Sequence, residues 1–125
     1  KNNEIRYDCV ILAGEVPVGL IGLLAIDREN SKAEYYISMG EENYKRKGIA
    51  SRATQLILQY AFETLSLNKV YLNVDADNVA AVALYERNGF QREGFFRKDL
   101  MRCGKLIDRA RYAILKEDYM GENSV

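Results

Sequence analysis

Histidine is absent from this 125-residue chain. That absence excludes Ser-His-Asp and Cys-His catalysis and any zinc site built on imidazole. Cysteine is scarce. Cys9 and Cys103 are too few for a disulfide framework, and a separated pair makes no metal site, so a reducing, cytoplasmic setting without a metal is expected. Net charge is missing as well, because 18 Lys and Arg balance 18 Asp and Glu. A dedicated nucleic-acid binder would carry a basic excess. No apolar run approaches the roughly 18 residues that a membrane-spanning helix needs. No signal peptide is visible, although a start at Lys1 is compatible with a missing natural N-terminus. Proton transfer is left to carboxylates, tyrosines, lysines or water.

What is present reads as one domain, long enough to bury about two thirds of its unfolded surface. Repeats, low-complexity tracts and linkers are not found. Asp8 to Leu12 and Val18 to Ile26 are short apolar runs on either side of Gly14-Glu15, a hairpin with Pro17 at its edge. Glu34 to Met39 is a third strand with a Tyr-Tyr-Ile centre. A long helix follows, with Ile49, Ala53, Leu56, Ile57, Tyr60, Ala61 and Leu65 forming one stripe at steps of three and four. Val70 to Val74 alternates as a strand. Asp77 or Asn78 can cap a second helix, which Gly89 ends in a left-handed conformation. Gln91 to Met101 and Lys105 to Leu115 form a last hairpin across Cys103-Gly104. The order β-β-β-α-β-α-β-β predicts an α/β (α+β) domain over residues 1–125, a mixed and mostly antiparallel sheet flanked by helices. The unit strand–long helix–strand is expected to cross over with parallel pairing.

The stretch Tyr44-Lys45-Arg46-Lys47-Gly48-Ile49-Ala50-Ser51 runs from a basic turn into that long helix. The first turn of a helix has amide N–H groups without partners and the positive end of the dipole. Lys45, Arg46 and Lys47 add full charge, Gly48 admits close approach, and Ala50 and Ser51 keep the turn slim, a design suited to a phosphate or pyrophosphate. A solvated basic face is the plainer reading of such a run. About thirty residues on lies Asn78-Val79-Ala80-Ala81-Val82-Ala83-Leu84-Tyr85-Glu86-Arg87-Asn88-Gly89-Phe90. In this order and at this separation, the two segments resemble the GNAT superfamily of acyl-CoA-dependent N-acetyltransferases over roughly residues 8–119. The tail, with Phe90-x-x-Glu93-Gly94, Gly104-Lys105 and Ala113-Ile114-Leu115, resembles the group with ribosomal-protein, polyamine and amino-sugar acetyltransferases.

The resemblance implies acetyl-CoA as acyl donor, bound in a splay between the third strand and the strand at 70–74. The backbone of Ile37, Ser38 and Met39 would pair with the pantetheine arm, and the amides from Arg46 to Ser51 would hold the pyrophosphate. Lys45 stands where the family often has Gln or Arg, and Arg46 where it often has Gly, so the loop is a variant one. Asn78 is placed on the pantetheine amide, in competition with its role as a helix cap, because its one carbonyl oxygen cannot serve both at once. Tyr85 is placed beside the sulfur. A phenol there can protonate the departing thiolate, provided that it points into the cleft rather than filling space behind the helix. An alkyl amine at neutral pH is neutral in roughly one molecule in two thousand, so a base is needed. Glu34 occupies the family's carboxylate position, directly or through water, unless it only ends an edge strand.

Glu41 and Glu42 read as solvated or paired with the lysines, and Asp108 and Tyr112 as possible linings of the acceptor side. Cys9 reads as a small core residue, Cys103 as a turn residue. The reaction expected is direct attack of a small-molecule or peptide amine on acetyl-CoA. The rival is an acyl-CoA-binding regulatory domain without catalysis; a basic-loop nucleic-acid module fits the balanced charge poorly. No nucleic acid or membrane partner is expected, and a homodimer is left open. The family's usual strand and helices ahead of this region would lie upstream of Lys1, making this an N-terminally incomplete domain or a short member.

Overall fold

The computed structural model describes residues 5–40 and 47–122. Six strands, β1 (Tyr7–Ala13), β2 (Val16–Asp27), β3 (Lys32–Met39), β4 (Lys69–Asp75), β5 (Gln91–Arg102) and β6 (Lys105–Leu115), form one sheet in the order β1-β2-β3-β4-β6-β5. All neighbours are antiparallel except β3 and β4, which are parallel. Helix α1 (Lys47–Gln59) connects that parallel pair, and α2 (Val79–Arg87) connects β4 to β5. A short α3 (Lys116–Glu122) follows β6. The predicted order of elements is therefore present, and each strand lies within a few residues of its expected bounds.

Local chemistry explains the turns. Cys103 (φ 52°) and Gly104 (φ 78°) are both left-handed and join β5 to β6 in a two-residue turn. Such a turn matches the twist of the strands. Gly89, at φ 95°, ends α2 as expected. The register of β5 on β6 shifts between Phe96 and Leu100, and there the Lys98 amide donates to Asp108 Oδ1 at 2.7 Å.

The alternation along each strand divides the sheet into two faces. Leu23, Ala33, Tyr35, Val70, Leu72 and Ile114 are buried toward the helices, together with Leu58, Ala61 and Phe62. Asp8, Glu34, Tyr36, Tyr71, Asn73 and Arg111 carry the opposite parity. On that face Tyr36 Oη donates to Asp8 Oδ1 at 2.5 Å, and Arg111 bonds Asn73 and lies over the Tyr71 ring.

Three features differ from the sequence expectation. The long helix does not run regularly to Leu65. It loosens into a π turn at Tyr60–Thr64, where Leu65 N–H reaches Tyr60 C=O at 2.9 Å. The wider turn lets the adjacent Ala61 and Phe62 both face inward. Leu56, assigned to the buried stripe, is 48% exposed, and Leu58 takes the inner position. Asp108 and Tyr112 share the parity of one face of β6, but their side chains are committed to different partners. Asp108 caps the bulge at Lys98, and buried Tyr112 donates to Glu86 Oε2 behind α2. Cys9 is half-buried at the margin of the core, and Cys103 is exposed in its turn, as expected.

Candidate functional site

Strand β3 is paired with β2 up to Met39, but with β4 only at Lys32, Ala33 and Glu34. From Tyr35 to Met39 its other edge has no strand partner among the described residues. An open strand edge is a row of amide donors and carbonyl acceptors. Beside it lies a slot of about 440 Å³, the size of an ordinary small-molecule site. Ile37 and Met39 wall it from β3, Ala50 from the start of α1, and Asn78, Ala81 and Tyr85 from α2. Five residues named from the sequence as cofactor-binding or catalytic (Ile37, Met39, Ala50, Asn78 and Tyr85) thus meet at one opening, although they come from three separate elements.

Asn78 caps α2, accepting from Ala81 N–H at 3.1 Å on its Oδ1. Its side-chain oxygen is committed to the helix. The Nδ2 donors have no partner among the described residues, and Asn78 is one of the residues that line the slot. Tyr85 is 8% exposed, and its ring is held by two aromatic neighbours. Tyr35 meets it edge-on at 5.7 Å between centroids, and Phe90 lies at 5.8 Å. Tyr35 is itself fixed. Thr54 gives its one hydroxyl proton to Ala50 C=O at 2.8 Å, so in the 2.7 Å contact between Tyr35 and Thr54 the phenol is the donor. Burial pushes the Tyr35 phenol well above its ordinary range.

The start of α1 supplies the positive end of a helix with no acidic residue in its first turn. A Cβ built at Gly48 meets nothing within 4 Å. What Gly48 contributes is empty space at the helix end. Gly48 and Ile49 border a second, apolar groove between β1 and α1, with Cys9, Leu56 and Tyr60, rather than the slot at Tyr85. Ser51 bonds Asn88 of the α2 C-cap. Lys45, Arg46, Glu41, Glu42 and the Lys47 side chain lie outside the described residues.

Ser38 is exposed and has the parity of the open face. Glu34 has the same parity and is the last residue of β3 paired with β4, opposite Tyr71. It stands at the closed end of the splay and is not among the residues that line the slot. Desolvation raises the Tyr71 phenol, and the Glu34 charge raises it further. Sequence reasoning passed over Thr54, Asn88 and Arg87, the last of which lines the slot. Thr54 and Asn88 are polar residues whose burial depends on partners far away in the chain, so periodicity gives no sign of them. Among the described residues there is no cluster of potential metal ligands, and no helix is long and apolar enough to cross a membrane.

Residues 1–91 match the family described as acetyltransferase (GNAT) domain. Among curated proteins, the chain is 33% identical over 93% of its length to an uncharacterized N-acetyltransferase, p20, of Bacillus licheniformis. It is 34% identical over 84% of its length to spermidine N(1)-acetyltransferase of Escherichia coli K12. It spans 65% and 56% of these two relatives. Among solved structures, a point mutant of the spermidine N-acetyltransferase SpeG from Vibrio cholerae superposes with a TM-score of 0.85 at 33% identity. That match covers 98% of this chain and 71% of the other.

Proposed function

The chain belongs to the acetyltransferase (GNAT) domain family, and on that premise we propose that its protein transfers an acetyl group from acetyl-CoA to a primary amine by direct attack. The observation that carries this reading is the slot, where an unpaired strand edge, the start of a helix and a buried phenol converge. The edge of β3 would pair with the amides of the pantetheine arm as a strand would. The first-turn amides of α1, helped by the basic turn before it, would hold the diphosphate. Asn78 would donate from Nδ2 to a pantetheine carbonyl while Oδ1 continues to cap α2. This removes the conflict between its two roles.

For the chemistry, an N–H near Met39 would steady the oxyanion formed when the amine attacks, and Tyr85 would protonate the leaving sulfur. Tyr35 and Phe90 hold the Tyr85 ring for that task. Glu34, on the far face of the sheet, would draw the proton from the incoming amine directly or through water. Donor and acceptor would then approach from opposite faces and meet in the splay. No covalent enzyme intermediate is needed.

The acceptor class is a small amine such as a polyamine. The named relatives that act on spermidine support this, with the ribosomal N-acetyltransferase of Bacillus subtilis, named as putative, as a reminder that peptide amines belong to the same range. The proposed setting is the cytoplasm, where acetyl-CoA and reduced thiols coexist. The test is a thiol-release assay with acetyl-CoA and a panel of polyamines, amino sugars and peptide N-termini. Release of CoA that depends on one class of amine supports the proposal. Tight acetyl-CoA binding with no release for any amine would instead establish a regulatory acyl-CoA-binding domain.

A further inference from the structure

Two polar residues are buried among those described, Thr54 and Asn88, and both brace α1 against a wall of the slot. Thr54 ties it to β3 through Tyr35. Asn88 ties it to α2, and this second brace runs to the residue proposed as the acid. The Asn88 amide N–H donates to Tyr85 C=O at 3.1 Å and to Leu84 C=O at 3.2 Å. Its side-chain Nδ2 donates to Leu84 C=O at 2.9 Å and to Ser51 Oγ at 3.2 Å. A carbonyl accepts only from a donor, so the bond to Leu84 fixes which way the amide faces. Ser51 Oγ also lies 3.4 Å from Asn88 Oδ1.

We propose that Asn88 is a positioning residue. Through Ser51 it fixes the start of α1, where the diphosphate would be held, relative to Tyr85, where the thioester would be cleaved. The inference rests on the proposed function. A coenzyme gripped at one end and reacting at the other presents its sulfur correctly only if the span between grip and acid is constant. Proton transfer needs the donor within hydrogen-bond reach, and small misplacements are costly. Asn88 suits this task because one planar amide can hold the last turn of α2 and reach across to α1 together.

The test is a double-mutant cycle with Asn88→Ala and Ser51→Ala in the full-length protein, assayed well below the melting temperature. Each single variant is expected to lower kcat at saturating acetyl-CoA by about tenfold, and the double variant to lower it no further. Ser51→Ala removes one half-buried hydroxyl, so it keeps the test available if Asn88→Ala folds poorly. A merely structural bond would lower the melting temperature and leave kcat unchanged. A direct contact of Ser51 with coenzyme would raise KM for acetyl-CoA instead. Either result, or losses that multiply in the double variant, overturns the inference while wild-type turnover leaves the enzymatic reading intact. If the wild type binds acetyl-CoA without turnover, the enzymatic reading falls, and the same cycle is read on coenzyme affinity. Coupled losses there keep the brace and additive ones remove it. If the wild type fails to bind, both fall.

Discussion

Strand β4 has two neighbours and meets them differently. Toward β6 it pairs along its whole length, from Lys69 opposite Leu115 to Asp75 opposite Arg109. Toward β3 it pairs at three positions and then leaves. The same seven residues thus build a closed joint on one side and an open one on the other. The closed joint carries the core. Leu72 is 2% exposed there, and so is Ile114, which stands opposite Val70. The open joint carries the slot. Affinity and turnover should therefore respond to changes on one side of β4, stability to changes on the other.

Leu72→Ala attacks the closed side and is the largest effect expected. Loss of a buried leucine typically costs about 3 kcal/mol, read as a lower midpoint in urea. Acetyl-CoA affinity of the folded protein should stay as it was; a parallel collapse of affinity would show that the two sides are not separable. On the open side, Tyr85→Phe keeps the packing against Tyr35 and Phe90 and removes the acid, so kcat should fall by about tenfold or more with coenzyme affinity little changed. Unaltered turnover would take Tyr85 out of the acid role. Gly48→Glu places a carboxylate where the diphosphate would sit. Because an acidic first turn favours the helix itself, stability should hold while acetyl-CoA affinity drops by about tenfold. Equal affinity by calorimetry would locate the phosphates elsewhere.

The smallest effect returns to the closed side, where α3 docks beyond β6. Tyr119 donates to Glu63 Oε2 at 2.8 Å. Burial, then that bond, pushes its phenol up to about 12 from a usual 10.0. A group with a raised pKa in the folded state contributes stability below its unfolded value and loses it as pH rises through the folded one. The melting-temperature difference between wild type and Tyr119→Phe should thus shrink between pH 10 and 12. A constant difference across that window would detach this contact from the alkaline loss of stability.

Much of this architecture can be read in the residues because local rules and tertiary structure agree. Val70, Leu72 and Val74 alternate and are buried on one face. Asn78 caps where a cap was expected, and Gly89 turns where a left-handed residue was needed. Tyr85, Asn78, Ile37, Met39 and Ala50 were brought together by resemblance and meet at one slot. What escaped depends on long-range partners. Thr54 carries no local sign of burial and is buried because Tyr35, nineteen residues away, completes its hydrogen bonding. Leu56 looked like core and lies outside because the helix is rotated to turn Thr54 and Leu58 inward. The short α3 had a local sign, Glu117 and Asp118 in its first turn, with Asp118 Oδ2 accepting from Leu115 N–H at 3.4 Å. A reading that ended at the last strand overlooked it.

The three-rung contact between β3 and β4 also has a mechanical meaning. It divides the sheet into a leading half, β1 to β3, and a trailing half, β4 to β6, each laced by antiparallel hydrogen bonds along its length. A sheet so built has a seam, a line along which strand pairing holds at one end and parts at the other. A guest molecule lying in that seam would act as a stitch, joining two strand edges whose backbone pairing, among the described residues, is confined to their base.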